Sequence, residues 1–174
     1  MSKLNKIDEA AQGKGSFMNT LWQFVKFIFV SLIAMIVQFA LLNILKLIPA
    51  IDSLRSQDFA WFVFNYPVSD GGLGYFIEFN TANIVAQVVS FFVNRDKTFN
   101  SGANIAVTLP IYIIFTVALI CFSAWLSPTL NGLLLGKLGW SETLSLNAAT
   151  MCCSAIQFFL YFPVDKLLFK KKKA

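Results

Sequence analysis

The chain has 174 residues, of which 57% are hydrophobic and 13% are charged, and its formal net charge is +5. Soluble domains carry about 25% charged residues, so this composition excludes an ordinary soluble domain. The mean hydropathy is +0.66, and the apolar residues are gathered into runs that reach the roughly 20 residues that a membrane helix needs. The sequence therefore predicts an all-α integral membrane protein.

Four apolar runs are candidate transmembrane helices, at residues 24–48, 75–94, 105–126 and 144–169. In the last run, Pro163 is expected to bend or end the part that spans the membrane. The first run is too long for the hydrophobic core of a signal peptide and lacks a small-residue cleavage site, so we expect it to stay in the protein. The remaining segments are a polar N-terminal arm (1–23), an aromatic outer loop (49–74) and a basic tail (170–174).

The basic residues predict the orientation in the membrane. Four spans place both termini on one side, and that side carries 11 of the 14 basic residues. By the positive-inside rule both termini are cytoplasmic, in a multi-pass protein of the cytoplasmic membrane. Because these charges lie at helix ends, anionic lipid headgroups are their expected partners and nucleic acid is not. The inner residues are Lys3, Lys6, Lys14, Lys26, Arg95, Lys97, Lys166 and Lys170 to Lys173; the outer ones are Lys46, Arg55 and Lys137.

The two outer connections differ in composition. The first is too short to span a membrane and is rich in aromatic residues, so it is expected to lie at the outer headgroup level, as an anchor or as a lid on which a sugar could stack. The second covers residues 127–143 and is expected to be a loop because it contains residues that break helices. These are Pro128, Gly132, Gly136 and Gly139 in the second connection, and Phe59, Trp61, Phe62, Phe64 and Tyr66 are the aromatic residues of the first.

An internal repeat links the second and fourth predicted helices. The pattern Gln87-x-x-x-Phe91-Phe92-x6-Phe99 recurs 70 residues later as Gln157-x-x-x-Tyr161-Phe162-x6-Phe169. Each half of the chain would then hold two spans in the same orientation, so the pattern predicts two parallel two-helix repeats.

The same two helices each carry a polar stripe at alternating spacings of three and four residues. Since lipid offers no partner to an amide, the stripes must face each other, another subunit or a wet cavity. One interpretation is that they hold helices together, at roughly 0.6 kcal/mol per hydrogen bond; the other, which we favour, is a polar groove that serves a passenger. The stripes are Asn80, Asn83, Gln87, Ser90 and Asn94, and Asn147, Thr150, Ser154, Gln157, Tyr161 and Asp165.

The charged residues limit the choice of passenger. The sequence contains no His, and its only acid inside a predicted span is Glu78, near the outer end. Asp96 and Asp165 are placed at the inner boundary, beside Arg95 and Lys166. Neutral amides suit sugar hydroxyls, and cations at the inner end suit a phosphate, so a phosphate-linked sugar fits this pattern better than a proton or a metal ion.

The segment "SFFVNRDKTF" resembles the Phe-x-x-Asn-Arg-x-x-x-Phe signature of the GtrA family, with matches at Phe91, Asn94, Arg95 and Phe99. The ending "YFPVDKLLFKKKK" is similar to that family's C-terminus. The resemblance implies a four-helix protein that moves a polyprenyl-phosphate-linked monosaccharide from the inner to the outer leaflet, for glycosylation of cell-surface polysaccharide or teichoic acid. Two departures are Ser90, where members often have Asn, and a longer outer loop.

Combining the residues with the resemblance gives a candidate site without a catalytic residue, cofactor or metal. Arg95, Lys97 and Lys166 are predicted to bind the phosphate, with Arg95 as a bidentate clamp. The predicted groove-lining residues are Gln38, Asn83, Gln87, Ser90, Asn94, Ser154 and Gln157.

Other functions stay open at this point. The chain could be a membrane scaffold for a partner glycosyltransferase, which would need the same topology but no groove. A small multidrug antiporter is disfavoured because the first helix contains no acid, and a glycosyltransferase is disfavoured because no catalytic acid and base pair is evident. A homodimer is an alternative to a monomer, since four short helices enclose little volume.

Overall fold

The computed structural model describes the backbone of residues 3–170, and the side chains of all of these but residues 3–6, 12, 142, 143, 146 and 147. The described chain is almost entirely helical, which confirms the predicted all-α class. The helices are α1 (Lys3–Gly13), α2 (Ser16–Lys46), α3 (Pro49–Asp52), α4 (Gly72–Val93), α5 (Ile105–Leu138) and α6 (Glu142–Leu168). A π turn, Asn94–Thr98, continues α4.

Four of the helices are long and apolar enough to cross a membrane, which confirms the four predicted spans. They are Ser16–Lys46, Gly72–Thr98, Ile105–Leu138 and Ala148–Leu168. Their outward faces carry large exposed apolar side chains, such as Phe39 (72% exposed), Ile114 (70%) and Met151 (73%). Exposed apolar surface of this extent is typical of helices that face lipid, and the protein is a multi-pass membrane protein.

Two helices extend beyond their predicted bounds. α2 begins at Ser16, eight residues before the predicted span, and α5 continues to Leu138 through Pro128, Gly132 and Gly136. The prediction of a loop over 127–143 was therefore wrong for most of its length. In hydrocarbon a helix is the only local way to satisfy the backbone, so membrane helices tolerate Pro and Gly. α5 ends at Gly139, whose left-handed φ of 66° is typical of a helix C-terminus. Similarly, α6 continues beyond Pro163 to Leu168.

The four long helices alternate in direction, and contacts at one end of the bundle show this. Lys26 in the first third of α2 donates to the carbonyl of Lys97 after α4 (2.8 Å). Lys166 near the end of α6 donates to Thr20 near the start of α2 (2.7 Å). We call this the inner end and the opposite end the outer end, following the predicted orientation. α1 also packs here, where Asp8 accepts hydrogen bonds from Trp22 (2.5 Å) and Lys26 (3.0 Å) of α2.

α4 has a buried face formed by every fourth residue. This face packs mainly against α2, and Ala82 and Ala86 at its middle are fully buried. Small residues at such positions let two membrane helices approach closely. This buried face includes Ser90 and Asn94 of the predicted polar stripe. Toward the outer end it is formed by residues that do not belong to that stripe. Its members are Gly74, Glu78, Ala82, Ala86, Ser90, Asn94 and Thr98.

The outer loop is a folded cap. After α3 and a 3₁₀ turn (Ser53–Ser56), the strands β1 (Phe59–Trp61) and β2 (Phe64–Tyr66) form an antiparallel hairpin in which Phe59 pairs with Tyr66. Phe76 of α4 packs against Phe59 and Tyr66, with ring centroids 4.2 and 5.5 Å apart. Arg55 donates to the fully buried Glu78 of α4 through Nε (3.1 Å) and Nη2. These contacts attach the loop to the outer end of the bundle.

An aromatic core fills the inner half of the bundle. Phe91 lies 5.1 Å from Phe169, and Phe99 lies 5.7 Å from Phe169, between ring centroids. Phe99 and Phe169 are matching positions of the sequence repeat, so matching positions meet in the core. The duplication itself stays a prediction.

Candidate functional site

A cavity of about 150 Å³ lies between α2, α4 and α6. It brings together five of the seven residues predicted to line a groove. The five are Gln38 of α2, Gln87 and Ser90 of α4, and Ser154 and Gln157 of α6; the rest of the lining is Phe27, Ser31, Ala34, Met35, Phe158 and Tyr161.

The amides at the cavity have unused hydrogen-bonding groups. Gln87 accepts a hydrogen bond through Oε1 from the Tyr112 hydroxyl (3.0 Å), and Gln157 donates through Nε2 to Ser123 (2.6 Å). Within the described residues, the Nε2 of Gln87, the Oε1 of Gln157 and the whole amide of Gln38 have no protein partner. Because an amide without a partner is costly in hydrocarbon, this surface suits a polar occupant with both donors and acceptors.

α5 supports the cavity from behind without lining it. Tyr112 and Ser123 bind the two glutamines, and Thr116 accepts a hydrogen bond from the Tyr161 hydroxyl (3.1 Å). Sequence reasoning missed Tyr112 and Ser123. They fall on one face of α5 together with Thr116, so polar residues at helical spacing in an apolar run were the available signal.

The cavity opens sideways. Met35 and Ser154, which belong to its lining, are exposed on α2 and α6 respectively. On the inner side α2 and α6 are joined by aromatic pairs, Phe27 with Phe158 (5.1 Å) and Phe24 with Phe162 (5.0 Å). The opening therefore faces the lipid between these two helices, while the rings close the inner side.

A second polar group lies on the inner side of the cavity, and we call it the inner cluster: Ser90, Asn94, Thr98 and Asp165. Asn94 is fully buried and donates to Asp165 Oδ2 (2.9 Å) and Ser90 Oγ (3.3 Å), while Thr98 donates to Asn94 Oδ1 (2.8 Å). Ser90 also lines the cavity, so the two polar groups are continuous.

Two expectations change at the inner cluster. Asn94 does not line the cavity, because its amide is occupied by three protein contacts. Asp165 was expected at the inner boundary beside Lys166, but it is fully buried, and Lys166 donates instead to Thr20. Adjacent residues on a helix point about 100° apart, which separates the two side chains.

The predicted phosphate-binding residues lie at the inner end, outside the cavity lining. Arg95 donates to the Ala103 carbonyl through Nε (3.2 Å) and Nη2 (3.1 Å), and to Asp96 through Nη1 (2.6 Å). Lys97 is exposed, and its ammonium has no partner within the described part of the chain. Phosphate binding by Arg95, Lys97 and Lys166 stays a prediction.

The outer members of the stripes are not part of the cavity. Asn83 is half-buried one turn outward of Gln87, and Asn80 donates to the Phe76 carbonyl (2.8 Å). Thr150 is exposed, and the side chain of Asn147 lies outside the described residues. No group of three or more His, Cys, Asp or Glu among the described residues could hold a metal ion.

Comparisons with protein families, with curated proteins and with solved structures found no match for this chain.

Proposed function

We propose that this protein translocates a polyprenyl-phosphate-linked monosaccharide across the cytoplasmic membrane, for glycosylation of cell-surface polysaccharide or teichoic acid. The observation that carries the proposal is the cavity, where Gln38, Gln87 and Gln157 present unused amide groups inside a membrane bundle. The resemblance of the segment around Asn94 and Arg95 to the GtrA signature points to the same function.

The size and lining of the cavity suit one sugar ring. An apolar cavity of about 150 Å³ in another protein holds one benzene molecule, so a single six-membered ring is the appropriate scale. Sugar hydroxyls both donate and accept, which matches the free Nε2 of Gln87 and the free Oε1 of Gln157. The rings of Phe27, Phe158 and Tyr161 supply apolar surface for the sugar's C–H faces.

The sideways opening suits a ligand with a long lipid tail. The tail stays in the bilayer beside α2 and α6, and the protein needs to shield only the polar headgroup, which is costly to move through hydrocarbon. Net flux follows from consumption of the sugar on the outer face.

The cations at the inner end suit the phosphate. Lys97, which has no protein partner within the described residues, and Lys166, which donates only to Thr20, can each turn a donor toward an anion. Arg95 holds the Ala103 carbonyl and so fixes the turn that carries Lys97. Lys97 and Lys166 are therefore the proposed phosphate contacts, with Arg95 positioning Lys97.

Gln38→Leu tests the proposal, because the Gln38 amide has no protein partner that the change would disturb. Binding of farnesyl-phosphate-glucose to the purified protein is measured by calorimetry, together with transport of labelled lipid in vesicles. We expect affinity to fall about tenfold, which corresponds to about 1.4 kcal/mol, with normal amounts of folded protein.

The matched control is Asn43→Leu, the same amide-to-Leu change at an exposed position of α2 outside the cavity. It should bind and transport as the parent does. Parent-like binding and transport by Gln38→Leu would exclude the sugar site and favour the scaffold. Equal losses in both variants would mean that the amides act only on stability.

A further inference from the structure

Asp165 is a buried carboxyl group that forms no ion pair within the described residues. Its exposed fraction is 0%, and its Oδ1 has no hydrogen-bond partner within the described residues. The ion pairs of the described chain involve Asp8, Asp52, Glu78 and Asp96, and none involves Asp165. Its one hydrogen bond comes from Asn94, to Oδ2.

The charged groups near the inner end are turned away from Asp165. Lys166 on α6 donates to Thr20, Lys26 on α2 binds Asp8 and the Lys97 carbonyl, and Arg95 after α4 binds Ala103 and Asp96. The titratable groups that face it are two phenols, Tyr112 of α5 and Tyr161 of α6. Among the residues that the structure describes, no positive charge therefore offsets an ionised Asp165.

Burial without a cation disfavours the ionised carboxylate and favours the neutral acid. In a neutral carboxyl group one oxygen accepts hydrogen bonds and the other carries the proton as an O–H donor. Asn94 donates to Oδ2, so Oδ1, which has no partner within the described residues, is the oxygen free to carry the proton. The arrangement fits a carboxyl group that holds a proton on Oδ1.

The position of Asp165 connects this proton to the ligand. The inner cluster lies between the cations of the inner end and the cavity, and Ser90 belongs both to the cluster and to the cavity lining. Ser90 and Asn94 therefore link an anionic headgroup in the cavity to Asp165 through two hydrogen bonds, and two negative charges repel strongly where water is scarce.

We propose that Asp165 is a proton-binding site, and that the anionic headgroup binds only when Asp165 Oδ1 carries its proton, so that binding takes up a proton at any pH at which the ligand-free carboxyl group is ionised. The second half of this inference rests on the proposed function; the first half does not. At such a pH the proton comes from water at the inner end, the carboxyl group changes from negative to neutral, and the proton returns to water when the carboxyl group ionises again.

The first experiment needs no ligand. Infrared difference spectra of the purified protein in lipid, recorded against pH, report the C=O stretching band of a protonated carboxyl group. The parent should show a band that Asp165→Asn lacks, and Asp96→Asn should retain it, because Asp96 is an exposed acid paired with Arg95. If no band distinguishes Asp165→Asn from the parent at any pH, the proton site is wrong.

The second experiment tests the coupling. Calorimetric binding of farnesyl-phosphate-glucose, repeated in two buffers of different ionisation enthalpy, gives the number of protons taken up. In the parent, affinity should fall with rising pH by at most about tenfold per pH unit, with up to one proton taken up. Asp165→Asn should bind independently of pH, and Asp96→Asn should keep the parent's dependence.

The two experiments separate the two proposals. Binding by the parent that does not vary with pH, or a pH dependence that survives in Asp165→Asn, would overturn the coupling. An infrared band without any binding of farnesyl-phosphate-glucose would overturn the proposed function and leave the proton site standing.

Discussion

Glu78 and Asp165 are both fully buried acids in membrane helices, at opposite ends of the bundle. Glu78 at the outer end binds Arg55 through both of its oxygens, whereas Asp165 at the inner end has, within the described residues, one amide donor and no cation. Burial alone therefore does not define what an acid does. A buried carboxylate with a bidentate Arg is a structural attachment, and one without a cation is a candidate for protonation.

The outer ion pair depends on close backbone packing. A Cβ on Gly74 would lie 2.6 Å from Cγ of Arg55, and a Cβ on Gly72, whose φ is 54°, would lie 2.3 Å from the Gln57 carbonyl oxygen. Glycine at both positions lets Arg55 reach Glu78. The hydrogen bond to Glu78 raises the pKa of Arg55, whose guanidinium is already a cation at neutral pH without that shift.

Arg55→Met should have the largest effect on stability, because it removes the cation that binds the buried Glu78. Glu78 would then resemble Asp165, which forms no ion pair within the described residues. Removing one partner of a buried ion pair costs about 3–5 kcal/mol, and Glu78 pairs with no other cation among the described residues. We expect the free energy of unfolding, measured by titration with sodium dodecyl sulfate, to fall by this amount. Adding Glu78→Gln to Arg55→Met should restore most of the lost stability, because no carboxylate is then left buried without a cation. A double variant that is no more stable than Arg55→Met would show that Arg55 acts by packing.

Asn94→Leu should have an intermediate effect on stability, because it removes the one hydrogen bond that Asp165 accepts from the described part of the chain. A buried acceptor without its donor costs about 1–3 kcal/mol, and Thr98 also loses its acceptor. The same unfolding titration measures the loss. The matched control is Asn83→Leu, at a half-buried position with no protein partner within the described residues, which should change stability by less than about 0.5 kcal/mol. If Asn94→Leu and Asn83→Leu lower the free energy of unfolding equally, the inner cluster is not a coupled network.

Part of this architecture could be predicted from the sequence. Apolar run length gave the four spans, and residue spacing gave four of the five predicted residues that meet at the cavity, because helical periodicity decides which side chains share a face. The fifth, Gln38, belongs to neither stripe. The extension of α5 was missed because Pro128 and Gly132 break helices in water but not in hydrocarbon.

Contacts between distant segments could not be predicted. Arg55 and Glu78 are 23 residues apart and meet only because the outer loop folds back on α4. Asp165 was placed with Lys166 because the two are neighbours in sequence, but only the fold shows that Lys166 points to Thr20. Arg95 and Asp96 are also neighbours in sequence, and they do form an ion pair.

Arg95→Lys should have the smallest effect on stability. Asp96 is 52% exposed, and exposed ion pairs contribute about 0–1 kcal/mol. A lysine keeps the charge but cannot bind the Ala103 carbonyl through two nitrogens at once, as Arg95 does. We therefore expect a loss below about 1 kcal/mol in the unfolding titration.

The same substitution also separates two roles at the inner end, through its effect on the binding of farnesyl-phosphate-glucose. If Arg95 positions the turn, Arg95→Lys should change affinity by less than about threefold, whereas Lys97→Ala should lower it about tenfold, because the Lys97 ammonium is free to bind the phosphate. A bidentate Arg95 clamp would reverse this order, since the phosphate would then replace the Ala103 carbonyl and Asp96 as the partner of the guanidinium. The ratio of the two losses, measured on equally folded protein, decides between the roles. It does so without reference to Asp165, whose pH dependence should be the same in both variants.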